Sequence, residues 1–304
     1  MDSNRAEPEP SAARGRRGLT KPLLAAVVTA VFVGDLAALT FRRAERRQQA
    51  APIPTLSPGP GSPGSPAPTS SPDALPAPTA GPRIVSTEGD PQAMPPTRPP
   101  AEGTYRYRVT TVTSGEDRQD RTSVRDVEII VETTAQNPVR QSFTTLRESG
   151  ATSFQQNVIW LGDGLVTDGF ASSDGGFAYE CDWEPDLLDH RLPHSMGLAW
   201  RVDSSCRTSA GDFREVERST VASAGVVEIE GRTVRTWIVQ RGTSETRSLP
   251  QGSFTRETDS EEMFSPEHGI VVRSQRESTS QSPDGTQTKT SQTLELLTLT
   301  PGPA

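Results

Sequence analysis

The stretch "YRYRV", Tyr105 to Val109, places Tyr105, Tyr107 and Val109 at every second position with arginines between them. Strict alternation of this kind turns one face of an extended chain toward a core and the other toward water, so it reads as a half-buried β-strand. "VEIIVE" repeats the pattern with Val127, Ile129 and Val131. Turn signals then recur at short intervals. Asp163-Gly164 lies between "NVIW" and "LVTDGFA", Asp174-Gly175 precedes "FAYECDW", Gly231 follows "VVEIE", and "SPDGT" separates "GIVVRSQRE" from "TLELLTL". Such pairs supply the positive φ angles that tight hairpins need, so neighbours in sequence become antiparallel neighbours in space. The signals predict about ten or eleven strands.

Between Tyr105 and the C-terminus a helical apolar period is visible only in "EPDLLDHRLPHSMGLAW". Leu187, Leu188, Leu192 and Met196 there predict one or two helical turns, broken by Pro193. The fold class expected is mostly β: one large, curved antiparallel meander, half-barrel-like, over residues 103–300, with 301–304 as a tail.

Upstream the composition changes. Residues 51–100 hold 16 prolines among Ser, Gly, Ala and Thr. This sequence cannot bury enough apolar surface to offset its ordering entropy, and 42–102 is expected to be a disordered linker. Before it lies "LLAAVVTAVFVGDLAALTF", residues 23–41. Nineteen residues at about 1.5 Å each make a helix of roughly 28 Å, against about 30 Å of bilayer hydrocarbon. Asp35 costs about 2–3 kcal/mol at the bilayer centre on insertion scales, and it sits near the outer end, within reach of water. The residues after the run make a poor cleavage site, and Arg42, Arg43, Arg46 and Arg47 follow as a stop-transfer cluster. A single transmembrane signal-anchor is expected over 23–41, with a basic cytosolic tail at 1–22. "RRGLTK", Arg16–Lys21, resembles a twin-arginine export motif, though Thr20 does not fit. Basic residues flank the helix almost equally, five before and four after. Orientation therefore rests on the rest of the chain, which places the C-terminal domain outside.

Charge narrows the partners. Residues 101–304 carry 20 Lys/Arg against 31 Asp/Glu, a net of −11. An acidic domain repels phosphate backbones, so nucleic acid is an unfavourable partner. The membrane, through 23–41, and a lipid or envelope protein are the expected partners.

Cys181 and Cys206 are the chain's two cysteines. Outside the cytosol an even pair implies a disulfide, and the absence of a CxxC spacing argues against a two-cysteine metal site. His190 and His194 stand beside Glu184, Asp186 and Asp189 at an i, i+4 spacing that a zinc helix would use. Pro193 interrupts that helix, and a solvated acidic loop is expected instead. His268 in "PEHG" reads as a turn residue. GxSxG, GxxxxGK[ST] and GxGxxG after a strand do not occur. Trp160, Trp183, Trp200 and Trp237 are expected in the core or at its rim. No catalytic, cofactor or metal-ligating residue is assigned, and a non-enzymatic protein is expected.

A domain that opens with "GTYRYRV", carries "LPHSMGLAW" and closes with "MFSPEHGIVVR" resembles membrane-anchored secreted β-domain proteins of actinobacteria. Its meander also resembles the sheet of the LolA/LppX-type lipid and lipoprotein carriers. That resemblance implies a curved sheet gripping an apolar ligand or envelope component; a protein-interaction module docking an envelope partner is the alternative. No cysteine stands where such carriers are lipidated.

Overall fold

In the computed structural model the described residues are 81–304, apart from 116–117, 136, 147–151, 175–176, 210, 250–251 and 304. The tail 1–22, the apolar run 23–41 and the linker to residue 80 lie outside them. Among the described residues no helix is long and apolar enough to cross a membrane.

The described residues form thirteen strands: β1 Arg83–Ser86, β2 Gly103–Gly115, β3 Arg118–Thr134, β4 Asn137–Leu146, β5 Thr152–Trp160, β6 Gly164–Asp174, β7 Phe177–Arg191, β8 Ala199–Thr208, β9 Gly211–Ile229, β10 Arg232–Leu249, β11 Gly252–Ser265, β12 Ile270–Gln281 and β13 Gln287–Leu296. From β2 onward each strand pairs antiparallel with the next. β13 returns to β2, and β8 pairs with β9, so twelve strands close on themselves. The expected half-open meander is therefore a closed barrel. A curved sheet of alternating strands leaves two hydrogen-bonding edges exposed, and closure removes both.

The hairpins follow the local sequence. At the β9–β10 turn Glu230 and Gly231 both take positive φ, 52° and 73°, as a two-residue turn between right-twisted strands requires. The expected helical turns at Leu187–Met196 are not formed. β7 runs through Arg191, and Leu187 faces inward from it beside Thr167 of β6. Pairing with β6 outweighed a short, proline-broken helical period.

The two ends of the barrel differ. At one end a strap, residues 87–101, crosses the opening. Gly89 N donates to Ala224 O, Arg98 N to Pro266 O, and Gln141 Nε2 to Pro100 O, at 2.8, 2.8 and 2.9 Å. Gly269, at φ 64°, lets the strap pass: a Cβ there would lie 2.1 Å from Arg98 O. β9 outruns β8, and β1 fills the notch by pairing with Arg83↔Glu228 and Ile84↔Val227. Residues 82–102, expected in the linker, thus belong to the folded unit. The C-terminal residues join it too, since Gly302 bridges to Thr104. The opposite end, reached by the β2–β3, β8–β9, β10–β11 and β12–β13 turns, is the mouth.

Outward positions carry Arg106, Arg108, Asp126, Glu128, Arg201 and Arg214, several in exposed ion pairs. A lipid-facing barrel wall would be apolar at these positions. The weakest join is β7–β8, whose ladder registers one pair, Glu184↔Ser205. The Cys181–Cys206 disulfide spans it, with Cα atoms 5.6 Å apart.

A Cys181→Ser, Cys206→Ser double variant should lose about 3–4 kcal/mol of unfolding free energy, the chain-entropy value for a loop of this length. Urea unfolding measures it; an unchanged midpoint would mean that backbone pairing alone closes the seam.

Candidate functional site

Inward-facing side chains grade along the barrel axis. From the plugged end to the mouth β2 presents Tyr105, Tyr107, Val109, Thr111 and Thr113, and β13 presents Leu296, Leu294, Gln292, Thr290 and Thr288. The aromatic and aliphatic ones are buried, while Thr111, Thr113 and Thr288 are half-buried. Tyr107 Oη donates to Val271 O at 3.1 Å, and burial pushes its phenol far above the ordinary range. The apolar end is thus a packed core, joined by Phe143, Val131 and Phe264. The mouth is lined by hydroxyls; Thr258 and Ser278, opposite one another on the neighbouring strands β11 and β12, bond at 2.9 Å.

Between these layers lies a buried ionic belt. Arg241 on β10 donates from Nη1 to Glu217 Oε1 at 2.6 Å, from Nε to Glu262 Oε2 at 2.8 Å and from Nη2 to His190 Nε2 at 2.8 Å. Ser219 Oγ donates to Glu217 Oε1 at 2.6 Å. Burial opposes the Arg241 charge, but Glu217, Glu262 and Asp189 more than offset it and raise its pKa. Nearer the mouth Glu245 accepts from Arg247 and from Arg256. Burial would raise the Glu245 pKa; the two guanidiniums outweigh it and hold the group below its ordinary value. Arg247 also lies over the Phe213 and Phe254 rings, at 5.0 and 5.3 Å.

The hydrogen bonds fix the histidine tautomers. A guanidinium only donates, so His190 Nε2 accepts and its proton sits on Nδ1. That proton points to His194 Nε2, 3.1 Å away. His194 therefore carries its own proton on Nδ1, which has no partner among the described residues. Burial, then the Arg241 charge, holds His190 well below its usual pKa and His194 down to about 3.

Two carboxyls are both shifted upward. Burial raises Asp189 well above the carboxylate range, while Arg241 pulls the other way; it accepts from Thr167 Oγ1 at 3.2 Å. Burial, then Glu217 and Glu245, pushes Glu215 up to about 8. Besides His194 Nδ1, inward polar atoms without a hydrogen-bond partner among the described residues include Gln156 Oε1, Ser172 Oγ, Ser204 Oγ, Glu215 Oε1, Ser274 Oγ and Thr290 Oγ1. Buried polar groups are nearly always satisfied, so such a set implies water or a ligand within the barrel.

The sequence-derived expectations are distributed unevenly here. Cys181 and Cys206 are joined as expected. Glu184 and Asp186 are exposed, but Asp189, His190 and His194 are buried inside the barrel, so the solvated acidic loop is corrected. A bulge at Asp189, the extra residue between the Val166↔Leu188 and Leu165↔His190 pairs, turns it and His190 inward together, and His194 follows from the loop after β7. All four tryptophans are buried. His268 accepts its place in the 266–269 turn and bonds Ser265 at 3.0 Å. Among the described residues no group of three or more His, Cys, Asp or Glu is arranged to hold a metal ion. The belt itself escaped sequence reading. Its signal is that "FREVERS" of β9 and "RETDSEE" of β11 carry charge at both parities, which a half-buried strand does not need. On the outer wall a groove of about 580 Å³ crosses β9–β13, lined by Arg218, Gln240, Asp259, Glu261 and Glu277.

No protein-family description and no curated protein matches the chain. Two solved structures share part of its outline. One is the hypothetical lipoprotein YmcC from Escherichia coli, 12% identical, over 62% of this chain and 87% of that one, with a TM-score of 0.30. The other is a protein of unknown function of the DUF3598 family from Nostoc punctiforme, 10% identical, over 65% of this chain and 96% of that one, with a TM-score of 0.16. Likeness at these scores carries no function across, so the chain's own residues must supply it.

Replacing Arg241 by alanine leaves Glu217 and Glu262 buried without their cation and should cost about 3–5 kcal/mol. A triple variant, Arg241→Met with Glu217→Met and Glu262→Leu, should recover most of that. Chemical denaturation of both variants tests the pair; a mild single-variant effect would show the belt to be hydrated.

Stability should also have an acid-shifted plateau. The unfolded chain protonates both histidines below pH 6.5 and the fold does not, so their contribution is full above 6.5 and lost as pH falls. Glu215 and Asp189 hold protons in the fold that the unfolded chain releases above 4.5 and 3.8, so their contribution is full below those values and lost as pH rises. Between those limits the pairs oppose one another; outside them each uncompensated group shifts stability by about 1.4 kcal/mol per pH unit. Urea midpoints from pH 3.5 to 8.5 should be flat near 4.5–6.5 and fall on either side. A midpoint still rising through pH 7.5 would overturn the protonated state of the two carboxyls.

Proposed function

We propose that the chain is a non-enzymatic binding protein whose barrel stands outside the membrane on an anchor and holds a component of the cell envelope. The observation that carries this reading is the set of buried, inward polar atoms without a hydrogen-bond partner among the described residues, in the mouth half of the barrel and its middle layer. A purely structural barrel gains nothing from them, because each unmade bond costs about 1–3 kcal/mol. The Cys181–Cys206 bond supports an oxidising compartment, and hence the extracytoplasmic side. An apolar ligand of the lipid-carrier kind is less well supported, since the apolar end is filled by Tyr105, Tyr107, Phe143 and Phe264, each nearly fully buried. A non-catalytic role is supported by the histidines: both are neutral, and His190 uses both nitrogens within the relay. A second reading, docking of an envelope protein, is favoured by the polar groove across β9–β13.

Native mass spectrometry of the full-length chain, purified gently from its own host, tests the first reading. A bound envelope component that leaves when the barrel unfolds is expected. A bare mass would sink the interior-binding reading and leave the outer groove as the docking surface.

A further inference from the structure

Five consecutive strands, β5 to β9, bring an unusual set of side chains to one inner wall near the mouth. Phe154 stands opposite Ser172, and Gln156 opposite Phe170. Phe170 stands opposite Cys181, which is bonded to Cys206, and Cys206 stands opposite Phe213. Ser204 stands opposite Glu215. Each polar residue lies two positions from a ring or from the disulfide, so all share the inward face. The rings adjoin: Phe170 stacks on Phe154 at 5.3 Å and 16°, and lies 5.9 Å from Trp183 and 6.3 Å from Phe213. Gln156, Ser172, Ser204 and Glu215 are 3%, 3%, 1% and 5% exposed. Their Oε1, Oγ, Oγ and Oε1 atoms have no partner among the described residues.

We propose that this wall is a binding site for a neutral polyhydroxy ligand, such as the sugar units of a glycan. The inference rests on the binding-barrel reading above and names its ligand class. A sugar ring has an apolar C–H face and hydroxyl edges. The aromatic row matches the face; two serine hydroxyls, an amide carbonyl and a carboxyl match the edges. A hydrocarbon chain would leave those four polar atoms unsatisfied. A cation would meet the field of Arg241, Arg247, Arg256 and Arg276, with Glu215 kept protonated by burial and by Glu217 and Glu245. Toward an anion the guanidinium charge is already largely compensated, since Arg241, Arg247 and Arg256 hold Glu217, Glu262 and Glu245. The half-buried hydroxyls of Thr111, Thr113, Thr258 and Ser278 give the mouth a surface suited to a hydrophilic solute.

The test is titration of the purified full-length chain, in a polyoxyethylene detergent without a sugar headgroup, with chitotetraose and maltotetraose. Calorimetry and tryptophan fluorescence read binding, because Trp183 borders the wall. Saturable binding of at least one tetrasaccharide is expected. Glu215→Leu and Ser204→Ala each remove an unpartnered buried atom, so they should unfold at or above the wild-type temperature while binding at least tenfold more weakly. Arg106→Ala, on the outer wall, should bind as the wild type does. If neither sugar binds, or if Glu215→Leu binds equally well, the wall holds water only and the proposal falls. A host-derived ligand of another class in the native mass spectrum, with both sugars failing, would overturn the glycan assignment and leave the binding barrel standing. Failure of both experiments would overturn both.

Discussion

Cys181 and Cys206 join the two strands that backbone hydrogen bonds hold least. Every other neighbouring pair in the barrel shares a ladder of several residues, whereas β7 and β8 register at Glu184↔Ser205 alone. A barrel that opened there would expose strand edges and admit water to the ionic belt, where Arg241, Glu217 and Glu262 depend on a water-poor interior for the strength of their pairing. The disulfide also anchors the inner wall, since Cys181 and Cys206 sit between Phe170 and Phe213 in register. Closure of the fold and construction of the wall are therefore one event.

The gradient from tyrosine to threonine along β2 divides labour within one cavity. The plugged end supplies the apolar burial on which stability rests, with Leu294, Leu296 and Phe264 packed beneath the strap. The belt is a poor source of stability, because desolvating four guanidiniums and their carboxylates offsets most of the attraction. Its tight geometry orients groups instead: each arginine fixes an acid, and Arg241 fixes a histidine tautomer. An interior that keeps such groups, and leaves Glu215 Oε1 and Ser204 Oγ without a hydrogen-bond partner among the described residues beside aromatic rings, departs from what packing alone favours. Departures of this kind mark functional sites.

The alternation at Tyr105–Val109, the hairpin turns and the cysteine pair were legible because each depends on residues near one another in sequence. Period-two burial is a local property, and the positive φ at Gly231 needs only its own turn. The segment around His190 was not legible in the same way. Leu187, Leu188 and Leu192 keep a helical spacing, and only the ladder to β6 draws Leu187 and Leu188 into a strand. Likewise the proline-rich 91–100 looked like linker, yet Pro100 O accepts from Gln141 and Arg98 N donates to Pro266 O.

The sequence by itself determined that this domain is antiparallel β, joined mainly by short hairpins, acidic, and carrying one cysteine pair, because patterning, turn chemistry and composition act over a few residues. Only the tertiary structure decided that the meander closes, that Asp189, His190 and His194 turn inward, and that charges on β9, β10 and β11 meet as a belt. Closure is a relation between β8 and β9 and between β13 and β2. The identity of an inner face, where charge stands at both parities of a strand, is set by the partners waiting across the barrel and not by the strand's own residues.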